Sequence, residues 1–426
     1  MRIDEIFSFE KGILQSSKCV PGDFDFITAS SDWKTHNEYT HDCEALIFAA
    51  AASGSLGRTH YVNGKFVSSD LCFIITPKDQ ANLPVDLKFY HILFNELKDE
   101  IVRNTKAGTS KEAIGLGSFG KYELPYFDID IQIAIKNQFV NSEEIKSSLT
   151  TELNQQVGLV KKLRQQLLQD AVQGKLVEQN EKDEPASELL KKIKAEKQKL
   201  IAEKKLKKEK ELPPIKPEEI PFEIPENWVW CRLNDICEAI IDCPHSTPHY
   251  IENETGYYGI DTNCINEKGV ITRLRSLSFE SYQERIRRLV PRENDIIYAR
   301  EGSIGLATFI PKDKNICLGQ RVMLFRASKA IIHNYLIYAV TDVGYKNRLL
   351  AKHRGMGAKH VNVKDIVESL IALPPLAEQN RIVQKIDELM QYCNELEASI
   401  KESESQNEKL QQQVLREALR KEPVGV

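Results

Sequence analysis

The sequence predicts a mixed α/β protein with an internal repeat: two small α/β domains, each followed by a long helix. Three observations carry that expectation. The segment Lys162–Val172, KLRQQLLQDAV, returns as Lys409–Leu419, KLQQQVLREAL, identical at six of eleven positions and displaced by 247 residues. Similarity at one fixed displacement marks duplicated structural units. Each copy of that segment closes a stretch whose apolar residues alternate in fours and threes, the pattern of a coiled-coil helix. Ahead of each stretch lie short apolar runs broken by turn residues, the pattern of strands.

The copies can be followed in chain order. Arg2-Ile3-Asp4-Glu5-Ile6 resembles Arg232-Leu233-Asn234-Asp235-Ile236, and Gly54-Ser55-Leu56-Gly57 matches Gly302-Ser303-Ile304-Gly305 at a displacement of 248, which also carries Lys111 onto Lys359. Leu124-Pro125 falls on Leu373-Pro374 at 249, and Gln132 and Ile135 fall on Gln379 and Ile382 at 247. The expected domains are therefore 1–126 and 228–373, with strands at Ala45–Ala52, Phe66–Thr76, Asp295–Ala299 and Arg321–Arg326. The first copy lacks the tryptophan-led start seen at Trp228, so its N-terminal edge is expected to be shorter or differently packed.

Helical regions are expected at 127–212 and 374–426. In the first, Ile135, Phe139, Leu149, Leu153, Val160, Leu163 and Leu167 form the apolar seam, with Ser142, Lys146 and Gln156 in its polar places. In the second the seam is Ile382, Ile386, Leu389, Cys393, Leu396, Ile400, Leu410 and Val414, with Ser403 and Asn407 polar. Polar residues in such a seam weaken it and fix its register. The lysine- and glutamate-rich stretch Ala186–Leu212 reads as a charged helix. Pro213, Pro214, Pro217, Pro221 and Pro225 make 213–227 a stiff extended connector.

Composition bounds the function. The longest apolar run, Ala45–Ala52, is eight residues, far short of the roughly 20 a membrane helix needs, and the first residues carry no apolar stretch of signal-peptide type. A cytoplasmic protein without membrane contact is expected. Nine cysteines, an odd number, fit a reducing compartment. Cys231, Cys237, Cys243, His245 and His249 lack the close pairing of a zinc site, so no metal is expected. The net charge of −4 conceals a basic stretch: Ile271–Arg326 holds eleven Lys and Arg against six Asp and Glu. A duplex responds to the face turned toward it, so a locally basic domain suits nucleic acid.

Motifs for chemistry are near misses. Gly115-Leu116-Gly117-Ser118-Phe119-Gly120-Lys121-Tyr122 approaches the phosphate loop GxxxxGK[ST], but Tyr122 replaces the hydroxyl that would hold magnesium and Pro125 follows where a helix should run. Leu373-Pro374-Pro375-Leu376 lacks the amide or carboxylate and the aromatic ring with which an adenine methylase grips a flipped base. A self-contained modification or cleavage enzyme is disfavoured on this ground, and a scaffold that binds only protein is disfavoured by the basic stretch.

Together with the repeat, the string Leu373–Val383, LPPLAEQNRIV, resembles the specificity subunit of type I restriction-modification systems. So do Ala171–Val177, AVQGKLV, Asp183–Leu190, DEPASELL, and Ile224–Trp228, IPENW. The resemblance spans nearly the whole chain. It implies two target recognition domains, each reading one half of a split asymmetric site in double-stranded DNA. Between them, the long helices would run antiparallel and dock two modification subunits. By the same resemblance the chain is not an enzyme. Adenine methylation with S-adenosylmethionine belongs to the modification subunits, while ATP- and magnesium-dependent translocation and cleavage belong to restriction subunits. A helix from Asn141 to Leu176 would reach roughly 54 Å, more than the ~34 Å of one DNA turn, and so could set an unread gap.

Bases are read by side chains on loops, while phosphate contacts position the protein. The loop residues expected to touch DNA are Arg58, Lys111, Arg300, Arg321, Lys359 and His360. Partner contacts are expected from Gln165, Gln166, Gln412 and Gln413, which fall at matching places in the repeat.

Overall fold

The computed structural model describes residues 1–51, 54–107, 113–206, 211–352 and 360–419. The chain divides into two compact units, Met1–Asn154 together with Lys401–Val426, and Gln155–Ile400.

The first unit is built on a six-stranded sheet in the order β1-β6-β4-β5-β2-β3. Its strands are β1 Phe7–Lys11, β2 Phe24–Ile27, β3 Lys34–His36, β4 His41–Ala49, β5 Thr59–Ser68 and β6 Cys72–Pro77. All neighbours are antiparallel except β2 and β5. Side chains alternate across a strand, and β4 shows the consequence. Leu46 and Phe48 enter a core with Tyr90, Phe94 and Phe119, whereas Ala45, Ile47 and Ala49 enter a second core with Ile27, Val62 and Phe66. Helix Leu87–Glu96 covers the first face, its start fixed by Asp86, whose carboxylate accepts from the N–H groups of Lys88 and Phe89. A two-residue pair, β7 Lys106–Ala107 and β8 Ala113–Ile114, follows.

The expected strand Phe66–Thr76 is thus two antiparallel-sheet strands with a turn at Ser69–Leu71, where the polar run Ser68-Ser69-Asp70 interrupts the apolar pattern. The near phosphate loop holds the short helix Leu116–Gly120, and Phe119 is fully buried in the core. A Cβ on Gly120 would lie 2.8 Å from the Phe9 ring, so this glycine answers to packing.

The second unit carries three small sheets. β9 Val229–Arg232 pairs with β17 Leu370–Leu373. β10 Cys237–Asp242, β16 Val322–Ala327, β13 Ile296–Ala299 and β14 Ala307–Phe309 make an antiparallel sheet in that order. β12 Arg275–Ser276, β11 Tyr257–Ile260 and β15 Asn315–Leu318 make the third, with β11 and β15 parallel. Arg326 crosses the interior to Asp295, Nε to Oδ1 at 2.9 Å and Nη2 to Oδ2 at 2.6 Å. A fork-to-fork pair with both partners buried neutralises two charges that would otherwise be costly there.

Each long helix has 44 residues, Ile129–Val172 and Leu376–Leu419, and both ends are displaced by the same 247 residues. In the second unit, Arg164 of the first helix meets Asn394 at 2.7 Å and Glu397 at 3.3 Å of the second. Further along, Ala171 and Val172 share a core with Ile382 and Ile386, so the helices run antiparallel there. Within the first unit, buried Asn407 donates to Lys146 O at 3.2 Å and Thr150 Oγ1 at 3.1 Å. Three residues expected in the seam are exposed instead: Leu163 (43%), Leu396 (49%) and Leu410 (43%). At the level of Leu163 and Leu396 the contact across the pair is made instead by Arg164, which reaches Asn394 and Glu397.

The segment between the halves is bound to the second unit. Helix Ala186–Ala202 buries Ala186, Leu189 and Ile193 in that unit's core beside Trp228 and Cys237. The proline connector is held by Arg232, which donates to Pro213 O, Glu368 O and the Glu219 carboxylate. Among the described residues no helix is long and apolar enough to cross a membrane.

Candidate nucleic-acid interface

The two domains share one frame. In the first, β4 and β6 pair from Leu46↔Ile75 to Ala49↔Cys72; in the second, β13 and β16 pair from Ile296↔Phe325 to Ala299↔Val322. Every one of these residues is displaced by 250. An edge strand flanks each pair on the same side, β1 against β6 and β10 against β16.

The Gly-Ser-x-Gly turns occupy the same place in both frames. Gly54, Gly57, Gly302 and Gly305 have φ of 77°, 81°, 67° and 89°, a region open to glycine and disfavoured for other residues. Gly57 N–H donates to Ala49 O at 2.8 Å, and Gly305 N–H to Ala299 O at 3.0 Å. Leu56 and Ile304, between the glycines, are buried. The last amide of each turn thus closes the sheet.

A second shared device is a buried glutamine at the start of each long helix. Gln132 Oε1 accepts from Asp86 N–H at 2.8 Å, and its Nε2 donates to Phe127 O at 2.7 Å. Gln379 Oε1 accepts from Ile332 N–H at 3.0 Å, and its Nε2 donates to Pro374 O at 3.0 Å. Each ties its long helix to the residue that caps a domain helix, Leu87–Glu96 or His333–Thr341. The repeat displays this pair in the sequence, but only as one match among several.

The residues expected at DNA fall in different environments. Arg58 is half-buried, with Nη1 3.4 Å from Ser55 Oγ. Arg300 is 7% exposed and forked onto Asp242, Nε to Oδ1 at 2.8 Å and Nη2 to Oδ2 at 3.2 Å, with Nη1 2.8 Å from Glu301. Leaving for a phosphate would strand that carboxylate, so Arg300 braces the surface from below. Arg321 and His360 are exposed. The backbone brings these three together: Arg300 N–H donates to Arg321 O at 3.0 Å, and Val361 N–H to Arg300 O at 2.9 Å. Lys111 and Lys359 lie outside the described residues. On the helices, Gln165, Gln166 and Gln413 are exposed, Gln166 donating to Asp170 at 2.8 Å. The Gln412 side chain lies outside the description.

Sequence reasoning missed the groups that fasten the connector. Glu378 is 1% exposed, accepting from Trp228 Nε1 at 2.9 Å and Gln179 Nε2 at 2.6 Å. Burial pushes its carboxyl above the usual carboxylate range, against the lowering effect of those two donors. The first copy has Ile131 at the equivalent place, so the repeat itself could not reveal it. Partial burial likewise pushes the His60 and His91 imidazoles below their ordinary range. Among the described residues no group of His, Cys, Asp and Glu could hold a metal ion.

A duplicated α/β frame with polar loops at one edge, feeding a long helix in each copy, is the form of a modular recognition protein. The chain matches the family model described as Type I restriction modification DNA specificity domain over residues 1–159 and again over 225–403, and it belongs to that family. It is 35% identical over 272 residues to the type I restriction enzyme EcoAI specificity subunit of Escherichia coli, a match spanning 61% of this chain and 44% of that protein. The first of these relatives is therefore matched over less than half its length. The EcoDI specificity subunit of Escherichia coli is 24% identical over 426 residues, 94% of this chain and 83% of that one. A solved chain from a study of type I R-M system assembly shares the fold at a TM-score of 0.55 and 18% identity, over 99% of this chain and 97% of that chain.

Proposed function

We propose that the chain is the non-catalytic DNA-recognition subunit of a type I restriction-modification complex, each domain reading one half of a two-part asymmetric site. The observation that carries this is the pair of frames with one register and different exposed residues. A common scaffold with unlike surfaces suits two readers of unlike sequence, because base readout depends on side chains while backbone contacts only position the protein. The two 44-residue helices, each about 66 Å long at 1.5 Å per residue, form a paired spacer of coiled-coil type that sets the unread gap.

Two modification subunits dock on those helices. Support comes from the apolar side chains left exposed along them in the second unit, Leu159, Leu163, Tyr392 and Leu396, with Gln165 and Gln166 on the same stretch. Exposed apolar residues gathered along a helix pair favour a protein partner. S-adenosylmethionine is held by the modification subunits, ATP and magnesium by restriction subunits, and this chain makes and breaks no bonds. The test is methyl transfer from labelled S-adenosylmethionine to DNA. The purified chain is expected to transfer none, and modification subunits added to it are expected to restore transfer at a two-part site. Transfer by the chain without partners contradicts the proposal.

A further inference from the structure

The turn Leu318–Arg321 leads from β15 into β16, out of the three-stranded sheet and into the four-stranded one. Gly319 is required in it, since a Cβ there would lie 2.7 Å from Ile260 O. Arg321 then adopts φ 65°, a left-handed conformation that a long side chain avoids. Residues held in such conformations gather at functional sites. Its carbonyl is fixed by Arg300 N–H, while its exposed guanidinium has no hydrogen-bond partner among the described residues.

Beside this turn runs the loop that follows β10. Gln320 Nε2 donates to Thr247 Oγ1 at 2.8 Å, and among the described residues Oε1 and the second N–H of its amide have no partner. Beneath both segments, buried Arg285 donates through Nε to Leu318 O at 2.7 Å, through Nη2 to Gly319 O at 2.9 Å and through Nη1 to Ser246 O at 3.1 Å. One guanidinium therefore clamps the two loops into a ledge on which His245, Thr247 and His249 are exposed beside Arg321.

The first domain has a corresponding edge with different side chains, held by the same backbone hydrogen bonds but without the left-handed conformation at Leu71 that Arg321 adopts. Ala50 N–H donates to Leu71 O at 2.9 Å, as Arg300 does to Arg321 O; Gly12 N–H donates to Cys72 O at 2.9 Å, as Cys243 does to Val322 O at 3.2 Å. Ser69 and Gly319 are buried, Asp70 and Gln320 half-buried, Leu71 and Arg321 exposed. Leu71 is 41% exposed, so the frame needs neither an apolar nor a charged residue there. A shared hydrogen-bonded edge bearing exchangeable exposed side chains is what readout of differing bases requires.

We infer that this ledge is the base-reading edge of each domain. In the second, the Arg321 fork takes guanine O6 and N7 and the Gln320 amide takes adenine N6 and N7; in the first, Asp70 accepts from the cytosine amino group and Leu71 packs on a thymine methyl. The inference rests on the DNA-recognition reading above and names the side chains that carry it.

The experiment is methylation mapping in cells carrying the chain with its modification subunits, for the unaltered protein, Arg321→Gly and Arg321→Lys. Glycine keeps the left-handed turn without strain and removes the fork. Lysine keeps the charge and the backbone demand but loses bidentate geometry. The unaltered chain is expected to give a two-part motif, and both variants to lose discrimination for guanine at one position of one half by about tenfold or more, the other half unchanged. Should Arg321→Gly give no methylation at all, Arg321→Lys decides in the same terms. A two-part motif kept at full stringency by the variants overturns the ledge while leaving the domains as DNA readers. Absence of any two-part motif with the unaltered chain overturns the DNA-recognition reading itself.

Discussion

Gln132 and Gln379 do the same work in the two copies, each accepting one backbone N–H and donating to carbonyls on the approach to a long helix. A buried carboxamide so placed couples helix to domain, because its loss leaves buried backbone groups without partners. Gln132→Leu is therefore expected to destabilise the protein by roughly 1–3 kcal/mol, read as a lowered urea midpoint at unchanged slope. A change within a few tenths of a kcal/mol would mean that water replaces the amide at no cost. At this scale the sequence was partly legible. The repeat picked out Gln132 and Gln379, and the choice of basic residues on loops picked out Arg321. It could not separate Arg300 from Arg321, because the difference lies in Asp242, far away in the chain and adjacent only once β10 lies beside β16. The same holds for Arg285, whose partners are backbone carbonyls of two distant loops.

Among elements, the long helices were the most legible. Their periodicity and the 247-residue displacement locate them, and the folded helices begin and end at that same displacement. Strands were less so. β4 shows through its continuous apolar run, while the turn between β5 and β6, which contains neither glycine nor proline, is marked only by the polar Ser68-Ser69-Asp70 between its apolar flanks. The helix seam was legible where it is apolar and misread where polar side chains take over, at Leu163, Leu396 and Leu410. Asn407 marks such a level: it donates two hydrogen bonds across to the other helix, yet its Oδ1 has no partner among the described residues. Polar residues in a helix seam trade stability for register. Asn407→Leu is accordingly expected to raise the melting temperature by a few degrees, about 1 kcal/mol of stability. A lowered melting temperature would show that the two donated bonds outweigh the unpartnered oxygen.

For the whole molecule, the consequence of duplication is that identity of frame and difference of surface are inherited together: β4 and β6 reappear in register as β13 and β16, while Asp70 and Leu71 become Gln320 and Arg321. On the proposed reading, divided recognition is useful only if the two readers are held at a set distance, which is the task proposed for the long helices. The most direct measurement is therefore a change of length. Seven residues inserted after Val160, with seven more after Ala398 on the facing stretch, preserve the helical repeat and add about 10.5 Å, roughly three base pairs of DNA. Methylation mapping of cells carrying this variant with its modification subunits is expected to show the same bases in both halves of the site and an unread gap about three base pairs longer. An unchanged gap, or altered bases with the gap kept, would contradict the assignment of paired helices as the ruler between two DNA readers.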